Sequence, residues 1–260
     1  MSVEKIDLAE IEQFFIDLGL EDLVRFSQGR EIKEDSPNKL IYENAYAPNL
    51  SDLYSLYQFV RTKKRTTILE FGVGWSTFIM ALAMKENQNE YKDYVCSKLR
   101  RNNPFEIHCL DNEKEYIEIA QKRLIDGMDS LVTTHYSEAR MCKWNGRIAT
   151  EFVNFPVINP DFIYLDGPDT FNIKGDVEGI NIGHKDFLPM SCDILKLEHF
   201  LLPGTIIVVD GRAANARFLR SNFQRNWEYY YDDVYDQHVF EMVEEPLGKI
   251  NKRQLEFYNS

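Results

Sequence analysis

The 260 residues carry 30 Lys and Arg against 42 Asp and Glu, a formal net charge of −12, which argues against a general nucleic-acid or anionic-membrane surface. A chain of this length buries a substantial core, and it reads as a single domain with an appendage. Four cysteines, Cys96, Cys109, Cys142 and Cys192, are too few and too scattered for a disulfide scaffold or a paired-cysteine metal site. Ordinary thiols, an acidic amphipathic beginning and no apolar run near the roughly 20 residues of a membrane span predict a cytoplasmic protein with no membrane partner.

Residues 1–60 read as helices. In "DLAEIEQFFIDLGLEDLVRF" the residues Leu8, Ile11, Phe14, Phe15 and Leu18 share a face until Gly19 interrupts it. In "NLSDLYSLYQFV" Ser51 is a candidate cap for a helix carrying Leu53, Leu56, Tyr57 and Val60. From residue 66 the pattern changes to short runs rich in β-branched and aromatic residues, "TTILEF", "FEIHCL", "LVTTHY", "DFIYLD" and "TIIVVD". Helical patterns alternate with them: "STFIMALAMKE", "EKEYIEIAQKRL" and "MSCDILKLEHFL". Strands buried on both faces and separated by helices predict a mostly parallel sheet in a doubly wound α/β fold, with its ligand beyond the carboxyl ends of the strands. "WEYYYDDV" and "QHVFEMVEE", a few polar residues apart, predict an antiparallel hairpin at the sheet edge.

The turn after the first strand, "EFGVGWST", places Gly72 and Gly74 where a tight turn and a close ligand need them. A dinucleotide fingerprint wants a third glycine where Thr77 stands, and it brings a pyrophosphate to the helix amino end. Glu70 would repel that pyrophosphate. It suits a ligand whose nearby groups are an ammonium and a sulfonium.

Here the chain resembles the class I S-adenosylmethionine-dependent methyltransferases, whose first motif runs acid-x-Gly-x-Gly and then a small residue, as Glu70, Gly72, Gly74 and Ser76 do. The resemblance spans about residues 66–245 as a pattern of strands and turns and is specific only at this turn. It implies a seven-stranded sheet finishing on an antiparallel hairpin, a catalytic core at 61–260 and a helical extension at 1–60. S-adenosylmethionine (SAM) would be held by Glu70, Gly72, Gly74, Ser76 and Thr77, with Asp166 at the fourth strand end also facing it. Asp111, at the end of the second strand, would take the ribose hydroxyls, although the spacing of a capping box with Asn112 and Glu115 offers it a helix-capping role too. Asp111 follows Gly74 by 37 residues (111 − 74), against about 20 in the related dinucleotide fingerprint, so the polar stretch "ENQNEYKDYVCSKLRRNN" must lengthen a helix or form an excursion. Ser137 and Glu138 fall where the family reads adenine.

For catalysis, Asp166 in "DFIYLDGPDTF" and Asp210 in "TIIVVDGR" lie at neighbouring strand ends, with Asp169 close to the first. The pair resembles the Mg2+ site of catechol-type O-methyltransferases, in which the cation would lower the acceptor's pKa. Gly211 and Arg212 depart from that pattern; Arg212 offers Asp210 a salt bridge or the acceptor an anion contact. His184, in the long connection "NIKGDVEGINIGHKDFLPM", is the candidate general base on a candidate lid. Tyr42, Tyr46 and Tyr54 are candidate pocket walls. The function implied is methyl transfer to an O or N atom of a small-molecule acceptor, with no nucleic-acid partner and a homo-oligomer left open. A nicotinamide-dependent oxidoreductase and a non-catalytic SAM-binding module are the alternatives.

Overall fold

The computed structural model describes residues 3–31, 46–170 and 172–260. Its strands are β1 (Thr67–Phe71), β2 (Glu106–Asp111), β3 (Val132–Tyr136), β4 (Ala139–Trp144), β5 (Arg147–Phe152), β6 (Phe162–Leu165), β7 (Ile206–Asp210), β8 (Trp227–Asp232) and β9 (Gln237–Met242). Its α-helices are α1 (Leu8–Asp17), α2 (Glu21–Ser27), α3 (Leu50–Thr62), α4 (Trp75–Lys98), α5 (Lys114–Arg123), α6 (Asp193–Leu197), α7 (Ala213–Asn222) and α8 (Lys249–Tyr258). Seven strands make one sheet in the order β3-β2-β1-β6-β7-β9-β8. The five runs identified in the sequence pair in parallel, and β9 runs against both β7 and β8. The expected terminal hairpin is therefore present, with its second strand inserted inside the sheet and its first left at the edge.

Burial follows the two-residue period of a strand. On β1, Ile68 enters an apolar cluster with the helical face, whereas Leu69 and Phe71 enter a second cluster on the opposite face. The first cluster holds Ile11 and Phe15 of α1, Leu23 of α2, and Leu53, Leu56 and Val60 of α3 together with Ile107, Phe162 and Val208 of the sheet. Each such buried side chain contributes about 1.5–3 kcal/mol, so the amino-terminal helices share the core of the sheet. A reciprocal cap joins Asp7 and Glu10 at α1, and Asn49 caps α3 through the Ser51 amide at 3.0 Å, two residues before the position expected.

The polar stretch after the first turn is helix: α4 runs 24 residues to Lys98. Arg61 on α3 holds its polar half through Glu86 at 2.9 Å and Glu90 at 3.0 Å, and the Asn87 amide donates to the Val60 and Arg65 carbonyls at 2.9 Å each. At the amino ends of the strands, the Asp161 carboxylate accepts from the amides of Thr66 and Thr67, the Thr66 hydroxyl at 2.6 Å and the Tyr258 hydroxyl of α8 at 2.9 Å. Arg65, buried beside it, stacks on Tyr258 and donates to the Gly204 carbonyl at 2.8 Å.

Strands β4 and β5 form a hairpin that the sequence reading passed over, packed on the sheet face that also carries α6 and α7. Its turn is Asn145-Gly146, with φ of +47° and +76°, the left-handed pair a two-residue turn requires. Among the described residues no helix is long and apolar enough to cross a membrane.

Candidate functional site

Glu70 is fully buried beneath the β1 turn. The Ser76 hydroxyl donates to one carboxylate oxygen at 2.6 Å and the Thr77 hydroxyl to the other at 2.6 Å, while the Gly74 amide donates to Thr77 Oγ1 at 3.1 Å. Thr77, where a dinucleotide turn has glycine, thus connects the carboxylate to the amide of Gly74, which caps α4. Burial pushes the Glu70 pKa up to about 7, against the hydrogen bonds from Cys109, Ser76 and Thr77 that lower it. The native state then binds the proton more tightly than the unfolded chain. The associated stability is complete below about pH 4.5 and is lost as pH rises through about 7, a change of about 3 kcal/mol. Denaturant titrations of wild type and Glu70→Gln at about pH 5 and about pH 8 should differ by that amount, with the variant gaining relative stability at the higher pH. A pH-independent difference would refute the assignment.

The two glycines of the turn do different work. Gly72 has φ +89°, and a Cβ there would lie 3.0 Å from both the Asp166 carbonyl carbon and the Gly167 nitrogen. Conversely, a Cβ on Gly167 would lie 2.6 Å from the Gly72 nitrogen. The ends of β1 and β6 therefore interlock backbone against backbone, which only glycine permits. At Gly74 the backbone is extended, and a Cβ would meet only Ser76 Oγ at 3.8 Å. A cavity of about 140 Å3 opens there, lined by Tyr46, Gly74, Trp75, Tyr116 and Arg123 among others. Tyr46 thus walls a cavity beside the turn; Tyr54 is buried and packs its ring on Phe14 and Tyr235, and Tyr42 lies outside the described residues.

At the end of β2, Asp111 is 4% exposed and turns back to the same turn: it accepts from the Val73 amide at 2.9 Å and the Glu113 amide at 2.7 Å. Burial raises its pKa to about 6, against those two amides. The capping box is not formed, since Glu113 precedes α5 without a side-chain cap; Asn112 instead accepts from the Asp169 amide at 3.0 Å, joining the ends of β2 and β6. A carboxylate has four lone-pair sites, so Asp111 retains acceptor capacity for hydroxyls. Ser137 is buried and accepts from the Asn154 amide at 2.8 Å, whereas Glu138 is exposed.

The ends of β6 and β7 carry an acidic group larger than the sequence indicated. Burial first, then the Asp166 charge, raises Asp210 to about 7, with Arg212 and a hydrogen bond from Tyr164 opposing. Asp52, in the first turn of α3, is raised to about 8 by burial and by the charges of Asp210, Asp166 and Asp236. Asp52 and Asp236 were missed because an acid opening a helix and an acid in a hairpin turn are ordinary in sequence. Burial also raises Asp166, offset by Arg212, whose Nε donates to Oδ1 at 3.1 Å and whose other end donates to the Pro168 carbonyl at 3.1 Å.

These residues do not fit Mg2+. Among the described residues no third acid, cysteine or histidine joins Asp166 and Asp210 with ligand atoms mutually within 4.8 Å, so the ligand set a divalent cation needs is not assembled.

His184 is exposed on its loop, where its ring lies against Phe187 and its Nδ1 accepts from the Asp186 amide at 3.2 Å. The loop itself is tied down. The Met141 amide of β4 donates to the Lys174 carbonyl at 2.8 Å, and the Thr150 amide of β5 donates to the Met190 carbonyl at 3.0 Å, so both edges of the hairpin carry a strip of the loop. Between hairpin, loop and α7 lies a cavity of about 320 Å3, walled by Ile148, Ile182, Phe187, Leu188 and Met190, with Arg217 reaching in from α7.

No family model matches the sequence, and no curated protein matches it either. Solved structures similar to it include the O-methyltransferase TomG of Streptomyces achromogenes in complex with SAM (15% identity, 94% of this chain and 92% of that one, TM-score 0.41). Two more are the Bacillus cereus O-methyltransferase in complex with SAH (14%, 90% and 97%, 0.42) and a putative caffeoyl-CoA O-methyltransferase of Staphylococcus aureus (11%, 92% and 100%, 0.47). Likeness at this level decides nothing about the present chain, whose description rests on its own strands and side chains.

Proposed function

We propose that the chain is a SAM-dependent methyltransferase acting on an oxygen or nitrogen of a small molecule. The observation that carries the reading is the coincidence of two features. The sheet has a single strand against the grain, β9, next to the last parallel strand, as the methyltransferase resemblance implies. The carboxylates of Glu70, Asp111, Asp166 and Asp210 all gather at the carboxyl ends of its parallel strands. The buried Glu70 carboxylate under the turn favours a cationic donor over a pyrophosphate, which speaks against the nicotinamide reading; Asp111 suits the ribose of either ligand.

Methyl transfer from a sulfonium is an in-line displacement, so the protein's work is alignment and removal of the acceptor's proton. The Gly72–Gly167 interlock fixes the donor turn against Asp166. Asp210, with a pKa of about 7, takes the acceptor proton and displaces His184 as the favoured base. Arg212 holds Asp166 in place. The apolar cavity between hairpin and loop, within the size range of small-molecule sites and bounded by Ala214 and Arg217 of α7, the helix that follows Asp210, is the candidate acceptor pocket.

Calorimetric titration with SAM, S-adenosylhomocysteine and NAD tests this reading. Both sulfur nucleosides should bind and NAD should not; no heat with either sulfur nucleoside at about 1 mM would overturn the proposal. Gly74→Ala should melt at the wild-type temperature, since its Cβ makes only an ordinary contact with Ser76 Oγ at 3.8 Å on an extended backbone, yet bind the donor product at least about tenfold more weakly.

A further inference from the structure

The cysteines too scattered in sequence for a metal site are brought together by the β4–β5 ribbon. Cys142 on β4 is opposite Ala149 on β5. On the other edge of β5, Thr150 pairs in parallel with Ser191, which sets Cys192 beside Glu151. By the two-residue period, Cys142, Ala149, Glu151 and Cys192 point to one face. The small Ala149 leaves the two thiols in contact above it, with Sγ···Sγ of 3.6 Å. Cys142 Sγ, Cys192 Sγ and a Glu151 oxygen all lie within 4.8 Å of one another.

The spacing decides between a disulfide and a metal. The cysteines stand on strips either side of β5, two strand-to-strand steps of about 4.8 Å apart, so their Cα atoms lie beyond the roughly 7 Å that a disulfide spans without backbone movement. Two thiolates on one tetrahedral zinc, at about 2.3 Å each, sit about 3.8 Å apart, and the thiols are already at 3.6 Å. We propose that Cys142, Cys192 and Glu151 form a Zn2+ site, completed by water, that pins the far edge of the loop to the hairpin.

The surroundings support the ligands. Arg140 Nε donates to one Glu151 oxygen at 2.8 Å, and Lys196 Nζ to the other at 2.8 Å and to Asp193 at 2.9 Å. Asp193 in turn accepts from the Phe152 amide at 3.0 Å and the Ser191 hydroxyl at 2.9 Å. The two basic and two acidic side chains balance. Zinc binding releases one proton from each thiol, Zn2+ + 2 RSH → Zn(SR)2 + 2 H+, and leaves the cluster's charge unchanged. A cavity of about 280 Å3 lined by Arg140, Glu151, Asp193 and Lys196 opens on the Glu151 side of the cluster.

The test uses the full reduced chain, loaded with zinc chloride and desalted, with metal counted by atomic emission. One Zn2+ per chain should be retained, and Co2+ in its place should show sulfur-to-cobalt charge-transfer absorption and the visible bands of tetrahedral coordination. Cys142→Ser and Cys192→Ser should each weaken binding at least about tenfold and abolish or halve the charge-transfer band, whereas Cys96→Ser should change neither. Glu151→Gln should weaken binding and keep the band. Circular dichroism confirms that each variant is folded. A folded wild-type chain that retains no zinc, retention that survives the double serine variant, or a Cys142–Cys192 disulfide formed by mild oxidant without loss of folded structure would each overturn the site.

Discussion

Asp161→Ala is expected to cost about 3–5 kcal/mol of folding stability, read in urea titrations and as a fall of roughly 10 °C in melting temperature. The carboxylate is 3% exposed and accepts from two main-chain amides and two hydroxyls, tying the start of β1 to α8. Arg101 approaches it to 3.6 Å, and Arg65 lies buried alongside. Its removal leaves guanidinium charge in the interior without the acid that balances it, together with orphaned donors. Asp161→Asn keeps the shape and one acceptor, so it should fall between wild type and alanine. A loss below about 1 kcal/mol for alanine would mean that the network is solvated and contributes little.

Asp210→Asn should lower kcat by about 10²–10⁴-fold, the range of a lost general base, while affinity for S-adenosylhomocysteine stays within about threefold. Turnover is read as S-adenosylhomocysteine release with an acceptor found by screening phenolic, catecholic and sugar hydroxyls. The pH profile separates a base from a merely structural residue. Asp210 works as its carboxylate, so the wild-type rate should rise as pH passes about 7 and level off above it. Burial first, then the charges of Asp166 and Asp236, hold the Asp210 pKa up, while Arg212 and the Tyr164 hydrogen bond lower it. The Asp210→Asn variant should lack that rising limb. If it keeps full rate and the His184→Ala variant loses it, the base is His184.

The sheet was legible because its central parallel strands β1, β6 and β7 are buried on both faces, so "TILEF", "FIYL" and "IIVVD" read as short runs dominated by apolar residues. The terminal hairpin was legible from its aromatic runs, but which of its strands would enter the sheet was not, because that depends on pairing at a distance. The β4–β5 hairpin left a signal that was passed over, the dipeptide Asn145-Gly146 between "ARMCKW" and "RIATEF". Those strands carry charged and exposed residues, so composition alone did not mark them. In the site, the turn and the strand-end aspartates were readable by position, whereas the partners of Glu70 were not: Ser76 and Thr77 looked like ligand contacts and are hydrogen-bonded to a buried acid. The meeting of Cys142 and Cys192 lay deeper still, since it follows from the register of three strips of chain.

That ribbon of Lys174, β4, β5 and Ser191 also bears on how the cavity beside it can diversify. A conventional flap is one segment with two hinges, free to change shape alone. Here the wall of the cavity proposed for the acceptor is woven from separate lengths of chain that share main-chain bonds, so a change in one length shifts the register of the others. Adaptation to a new acceptor would therefore proceed through compensating changes in all three lengths, and grafting the loop by itself into a relative would carry only part of the wall's shape.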